Sequence, residues 1–299
     1  MIDKERVTIM EVTRYSSIPA FYSEVEEFLL CQEDRAGIML GNCLRFQDKV
    51  WEGEQPFLAT VKQNGKIMLS AMLIPPYALL LLEKEESDGV AAVPHLVRYL
   101  LQEDYYVQKV MSPKAVGKAF AHEWTTAHHL EEKLLMDLRL YTLPSVIQPA
   151  ARAGRLRMAT KADLAFLPRW IVEMTEETKL IMTMAEAEEY AKARVESKFL
   201  FIWEEDGKPV SMAAKTRPNV KGVSINLVYT PKNLRGKGYA SACVAALSDH
   251  LLSEGFTFCT LYTDLSNPTS NKIYQNIGYE PVCDYIELKF NERRTERPA

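Results

Sequence analysis

The chain has 299 residues, 47% hydrophobic and 25% charged, a length that suits about two domains with real cores. Its formal net charge of −4 speaks against nucleic acid as the main partner, because binding phosphates along a strand takes a basic face. Its five cysteines (Cys31, Cys43, Cys243, Cys259, Cys283) are scattered without a C-x-x-C pair, and an odd count without metal-ligand spacing reads as reduced, mostly buried thiols of a cytoplasmic protein.

The opening MIDKERVTIM lacks the charged-then-apolar run and small-residue cleavage site of a secretory signal. Residues 56–82 supply strands around the two-residue turn Asn64-Gly65. Their most apolar part, from Met68 to Leu82, is broken by Pro75 and Pro76 and is too short to cross a bilayer. A helix is expected over 90–103, a strand at YYVQKVM, a helix over 113–128 and a strand at EEKLLMDLRLYTL. Pro144, Pro149 and Gly154 then break regular structure, so a boundary is expected near residue 147, between domains 1–147 and 148–299.

The second half alternates strands and helices. RLRMAT is a short strand, and helical patterns cover 163–175 and 184–197. KFLFIWEEDGKPVSMAAKT reads as a hairpin turning at Asp206-Gly207. VSINLVYT is a strand, and the helix after PKNLRGK puts Cys243, Val244, Leu247 and Leu251 on one face before Gly255 ends it. FTFCTLYTD is a strand. Asn267 caps a helix with Pro268 in its first turn, Gly278 closes it, and YEPVCDYIELKF is a strand pair or one bent strand. The two halves share an element order, which suggests two copies of one fold.

The run LVYTPKNLRGKGYASACVAAL carries the chemistry. A strand feeds a turn in which Gly236 and Gly238 free the backbone, and the amides of the turn and helix start favour an anion. Arg235 and Lys237 add positive charge. A plain strand-to-helix turn with a solvated basic pair is the competing reading. The run is neither a Walker loop nor a three-glycine dinucleotide loop.

These residues resemble the GNAT N-acetyltransferase superfamily. Its phosphate-loop pattern is Gln or Arg, two residues, Gly, one residue, then Gly or Ala, and Arg235, Gly238 and Ala240 meet it. Its second region is matched by NPTSNKIYQNIGYEPV, and the likeness covers roughly 155–290. The resemblance implies an α/β (α+β) fold of two GNAT-like modules, each a mixed, mostly antiparallel sheet flanked by helices, the first degenerate. It also implies transfer of an acetyl group from acetyl-CoA, a co-substrate, to an amine by direct attack, with no metal. The pantetheine arm would pair with main-chain groups of Leu227, Val228 and Thr230. Arg235, Gly236, Lys237, Gly238, Tyr239 and Ala240 would take the pyrophosphate, and Asn267 and Asn271 would touch the cofactor arm. Tyr274 would protonate the departing thiolate, an ordinary phenol being a proton donor at neutral pH; a core aromatic is its alternative. Backbone N–H groups near Val228 would face the oxyanion.

A lysine-like amine needs about 4.6 kcal/mol to shed its proton at pH 7. VSINLVYT lacks the glutamate many family members place there, which leaves Glu173, Glu176 and Glu177 as candidate bases against a solvated acidic face or a water relay. The expected partner is a small-molecule or peptide amine, without nucleic acid or membrane, and a homodimer is allowed. The rival is a non-catalytic acyl-CoA-binding or regulatory protein; a further alternative is transfer of an aminoacyl or other acyl group on the same fold.

Elsewhere, His122, His128 and His129 match no metal-ligand spacing and read as surface histidines, as does His250. Cys259 reads as core and Tyr105-Tyr106 as sheet packing. Where the first half should carry a phosphate loop it has Glu83, Glu85, Glu86 and Asp88, which would repel phosphate, so one cofactor per chain is expected.

Overall fold

Local turn chemistry closes one hairpin in each half. Asn64-Gly65 and Asp206-Gly207 adopt positive φ at both residues (51° and 76°, 49° and 71°), the geometry that closes two-residue hairpins. The structure, a computed structural model, describes residues 10–84, 89–150, 152–178 and 181–292.

The chain divides into two units. One takes the residues up to Arg139, then Asp264–Ser266 and the chain from Cys283 on; the other takes Leu140–Thr263 and Asn267–Val282. In the first half the order is β1 (Met10–Arg14), α1 (Ile18–Leu30), α2 (Glu33–Phe46), β2 (Phe57–Gln63), β3 (Lys66–Leu73), β4 (Leu79–Glu83), α3 (Gly89–Gln102), β5 (Lys109–Pro113), α4 (Lys114–His128) and β6 (Leu130–Leu143). The second half repeats it: β7 (Arg155–Met158), α5 (Leu167–Glu177), α6 (Met184–Glu196), β8 (Leu200–Glu205), β9 (Lys208–Thr216), β10 (Gly222–Tyr229), α7 (Tyr239–Ser253), β11 (Phe258–Asp264), α8 (Pro268–Ile277) and β12 (Glu280–Glu292). A 3₁₀ turn, Lys161–Ala165, precedes α5. Each half runs strand, two helices, three strands, helix, strand, helix, strand, as a duplicated fold requires.

Pairing repeats as well. β1–β2–β3–β4 and β7–β8–β9–β10 are antiparallel ladders, and β4 joins β5, as β10 joins β11, in parallel. The final strand of each half serves the other unit. Tyr285 to Lys289 of β12 pair antiparallel with Pro113 to Lys109 of β5, and Ile286, Leu288 and Phe290 enter the core around Trp124. Tyr141 and Leu143 of β6 enter the core of the second unit with α7.

The structure revises some expected details. The opening helices α1 and α2 have no counterpart among the elements expected from the sequence; Ser17 caps α1 by accepting from the Ala20 amide (3.3 Å). The strand expected at YYVQKVM starts only at Lys109, because the Tyr105 amide folds back to Leu100 O and its ring packs on Phe57 at 4.9 Å. YEPVCDYIELKF is one strand. His128 is half-buried, tilted against Trp124 with ring centroids 4.2 Å apart. Cys259 is core.

Candidate active site

The site forms where β10 leaves β11. Their parallel register is Gly222↔Phe258, Val223↔Cys259 and Ser224↔Thr260, and stops there. On its other edge β10 carries an extra residue between Asn226↔Ala214 and Tyr229↔Met212, with Leu227 at φ 50°. A bulge re-aims a strand. Past Ser224 the β11-facing edge of Leu227 and Val228 is therefore outside the ladder, and main-chain groups there are available to an extended ligand.

The loop after β10 is shaped by glycine. Gly236 and Gly238 sit at φ 74° and 80°, the left-handed region that costs other residues roughly 1–2 kcal/mol. Gly238 is the N-cap of α7 and no side chain caps that end; the first helical bond runs from the Ala242 amide to Gly238 O at 3.0 Å. The amides of Tyr239, Ala240 and Ser241 thus precede the helical ladder and point out of the helix start, as an anion site needs.

The charged groups of the loop divide. Arg235 turns away from the helix start: its Nε donates to Thr230 O (2.9 Å), its Nη2 to both oxygens of Glu177 (2.8 and 2.9 Å), and its guanidinium lies 5.5 Å over the Tyr229 ring. Lys237 is exposed. A cation that sequence reasoning missed is Arg152, an exposed residue of the segment before β7, whose Nε lies 3.1 Å from where a Cβ on Gly238 would stand. Only the fold brings residue 152 to residue 238. Tyr239 is buried and its hydroxyl donates to Glu205, which holds the phenol's proton more tightly.

The candidate acid–base groups lie on two elements. Tyr274 of α8 is buried, edge-on to Tyr279 (5.9 Å), and burial pushes its pKa up to about 12. Asn267 caps α8 through the Ser270 amide (3.0 Å). Asn271 donates to Asn267 O (2.7 Å) and accepts from the Tyr141 hydroxyl (2.9 Å), so both ends of its amide are engaged within the protein. Across the site, Glu173 of α5 accepts from the Tyr229 hydroxyl (2.8 Å) and from Arg169 Nε (2.8 Å). The Tyr229 bond, then Arg169, holds Glu173 below the usual carboxylate range. Burial and the same carboxylate push Tyr229 up to about 12. Tyr229 links Glu173 to the end of β10, a role the sequence did not signal. Glu177 is tied to Arg235 and Glu176 is exposed. Of the acidic loop of the first half, Glu83 lies 3.8 Å from Arg35, whereas residues 85–88 lie outside the described residues.

A parallel strand pair that parts, followed by a glycine turn and a helix start without a side-chain cap, is the arrangement the second half presents. Residues 164–279 form a GNAT domain, matching the Acetyltransferase (GNAT) family over that span. The chain is similar to an uncharacterized N-acetyltransferase, YhfO, of Bacillus subtilis (24% identical over 144 residues, 46% of this chain and 96% of that protein). In fold it resembles a GCN5-related N-acetyltransferase from Sphaerobacter thermophilus (TM-score 0.60, 15% identity, 94% of this chain and 95% of that one). A GNAT-family acetyltransferase from Colwellia psychrerythraea is also alike (TM-score 0.57, 12% identity, 94% and 100%). These structural likenesses extend over the N-terminal half, which is GNAT-like in fold. The matched span, 164–279, and the relatives named for it point to acetyltransferases at the level of the family. No helix among the described residues is long and apolar enough to cross a membrane, and none of them form a cluster suited to a metal ion.

Proposed function

We propose that the second half, from residue 148, is an acetyl-CoA-dependent N-acyltransferase acting on an amine by direct attack, and that the first half, to residue 147, binds no cofactor. The observation that carries the reading is the uncapped start of α7, with Gly236 and Gly238 in left-handed backbone, at the mouth of a strand pair that parts after Ser224. The residues fit the group: bare amides and Arg152 and Lys237 suit a pyrophosphate, and the edge of Leu227 and Val228 suits an amide-bearing arm. When bound, acetyl-CoA supplies the thioester that the amine attacks.

The chain's residues then have distinct tasks. Backbone N–H groups near Val228 stabilise charge on the thioester oxygen, where fixed donors outperform mobile water. Tyr274, kept protonated by burial, gives a proton to the leaving thiolate. Glu173, through the Tyr229 hydroxyl, receives the proton the amine must lose, Tyr229 passing its own proton to the carboxylate as it takes the amine's, and water carries it off. Arg235 orders the strand end through Thr230 O while Glu177 fixes its guanidinium.

Calorimetric titration with acetyl-CoA, paired with a thiol-release assay over a panel of primary amines, tests this. Binding with amine-dependent release of CoA is expected; no heat and no release would overturn it.

A further inference from the structure

On the α6 side of β10 and β11 lies a polar group with no part in the acyl transfer proposed for the thioester. Ser224 and Thr260 share a buried hydroxyl–hydroxyl bond (2.8 Å) at the last pair before the strands part. Side chains alternate along a strand, so Asn226 and Tyr262 follow on the same face. Asn226 is paired with Ala214, which packs with Ala187, Ala191 and Val195 of α6. This face therefore lies at the parting of the strands, under α6.

Arg217 enters it from the end of β9. Its backbone sits at φ 45°, a region arginine rarely adopts, so its direction is held by the surrounding fold. Its Nε is shut off from solvent without a hydrogen-bond partner, as is Asn226 Oδ1. The groups whose charge the guanidinium feels are Tyr262, Tyr190 and a second cation, Arg194. Arg194 is bound to the Tyr190 hydroxyl (2.9 Å) and lies over its ring. Among the described residues neither arginine has a carboxylate partner. Burial is the main force opposing the Arg217 charge, and Arg194 adds to it. A sheltered guanidinium with a donor unused, and a second cation near enough to disfavour its charge, call for an anion. Other arginines of this unit, such as Arg157 and Arg235, are neutralised by carboxylates at 2.8 Å.

We propose that the acceptor is an amine that also carries an anionic group, carboxylate or phosphate, with Arg217 and Arg194 holding the anion and Asn226 Oδ1 accepting an N–H from the same molecule. This rests on the acyltransferase reading and names its substrate class.

The test compares kcat/KM for matched amines: α- and ω-amino acids with their carboxamides, and phosphoethanolamine with ethanolamine. Wild-type protein is expected to favour the anionic member of at least one set by tenfold or more, and the favoured set tells carboxylate from phosphate. Arg217→Gln should bring that ratio near unity while acetyl-CoA titration and circular dichroism match wild type. N-acetylated forms of the preferred acceptors should raise the wild-type melting temperature and leave that of the variant unchanged. Neutral amines used as well as anionic ones, or equal losses for all amines in Arg217→Gln, overturn the proposal. Should that variant not fold, Arg194→Gln and the wild-type comparison still decide. Absence of acetyl-CoA binding takes both readings down; acetyl-CoA binding without anion preference sinks this one alone.

Discussion

Replacing Tyr229 by Phe isolates the link between β10 and α5. The ring should keep its place, tilted 6.2 Å from Trp170 and beneath Arg235, so the change removes one hydroxyl. A hydrogen bond to a charged group is worth about 1.5–3 kcal/mol. Glu173 is about one-third exposed (32%) and keeps Arg169, so water and that ion pair recover part of the loss. A destabilisation of about 1 kcal/mol follows, which lowers Tm by about 2–4 °C. The pH dependence has a definite sign. Glu173 titrates lower in the folded protein, so its contribution is complete above its unfolded value of about 4.3 and is lost as pH falls through the lower folded value. Thermal unfolding of both proteins from neutral to acid pH should show a gap that is constant above the unfolded value of about 4.3 and narrows as the pH falls below it. A gap absent at neutral pH, or one undiminished in acid, refutes the reasoning. For turnover, Tyr229→Phe and Glu173→Gln should lower kcat alike, and the double variant no further, since groups acting as one relay are not additive.

Gly238→Ala puts a side chain in left-handed backbone at a cost of roughly 1–2 kcal/mol, and Arg152 is free to move aside. Acetyl-CoA affinity by calorimetry should fall about tenfold; an unchanged Kd counts against the loop as the phosphate site. Arg152→Ala should weaken acetyl-CoA about three- to tenfold without changing Tm, with the loss shrinking as salt is added. Tyr274→Phe should cut kcat about a hundredfold while the Kd for acetyl-CoA stays put, and a rate equal to wild type would remove Tyr274 from the chemistry.

What the sequence shows of this protein is the part written in short-range chemistry. The turns at Asn64-Gly65 and Asp206-Gly207, the cap at Asn267 and the glycines of the phosphate loop each depend on a few adjacent residues, and all are legible in the amino-acid order alone. Contacts made over long separations are not. Tyr229 meets Glu173 across 56 positions, and Arg152 reaches Gly238 across more. Nothing in the run AKTRPNV around Arg217 signals that its guanidinium is sheltered; an arginine beside a proline reads as a solvated loop. Of the opening helices, α2 escaped because polar residues interrupt it, even Glu33 and Arg35 being buried, whereas α1, capped by Ser17 with Ile18, Phe21, Val25 and Leu29 on one face, carries a readable pattern.

The exchange of final strands sets a timetable for synthesis. Ile286, Leu288 and Phe290 line the core built by residues 57–130, and β12 covers the edge of β5. That edge is translated well before its cover exists. At about 5–20 residues per second, the nascent first half waits on the order of ten to thirty seconds with β5 bare. Unpaired edges invite association with other chains, so a ribosome-bound intermediate of this protein is a natural client for chaperones until residue 290 emerges.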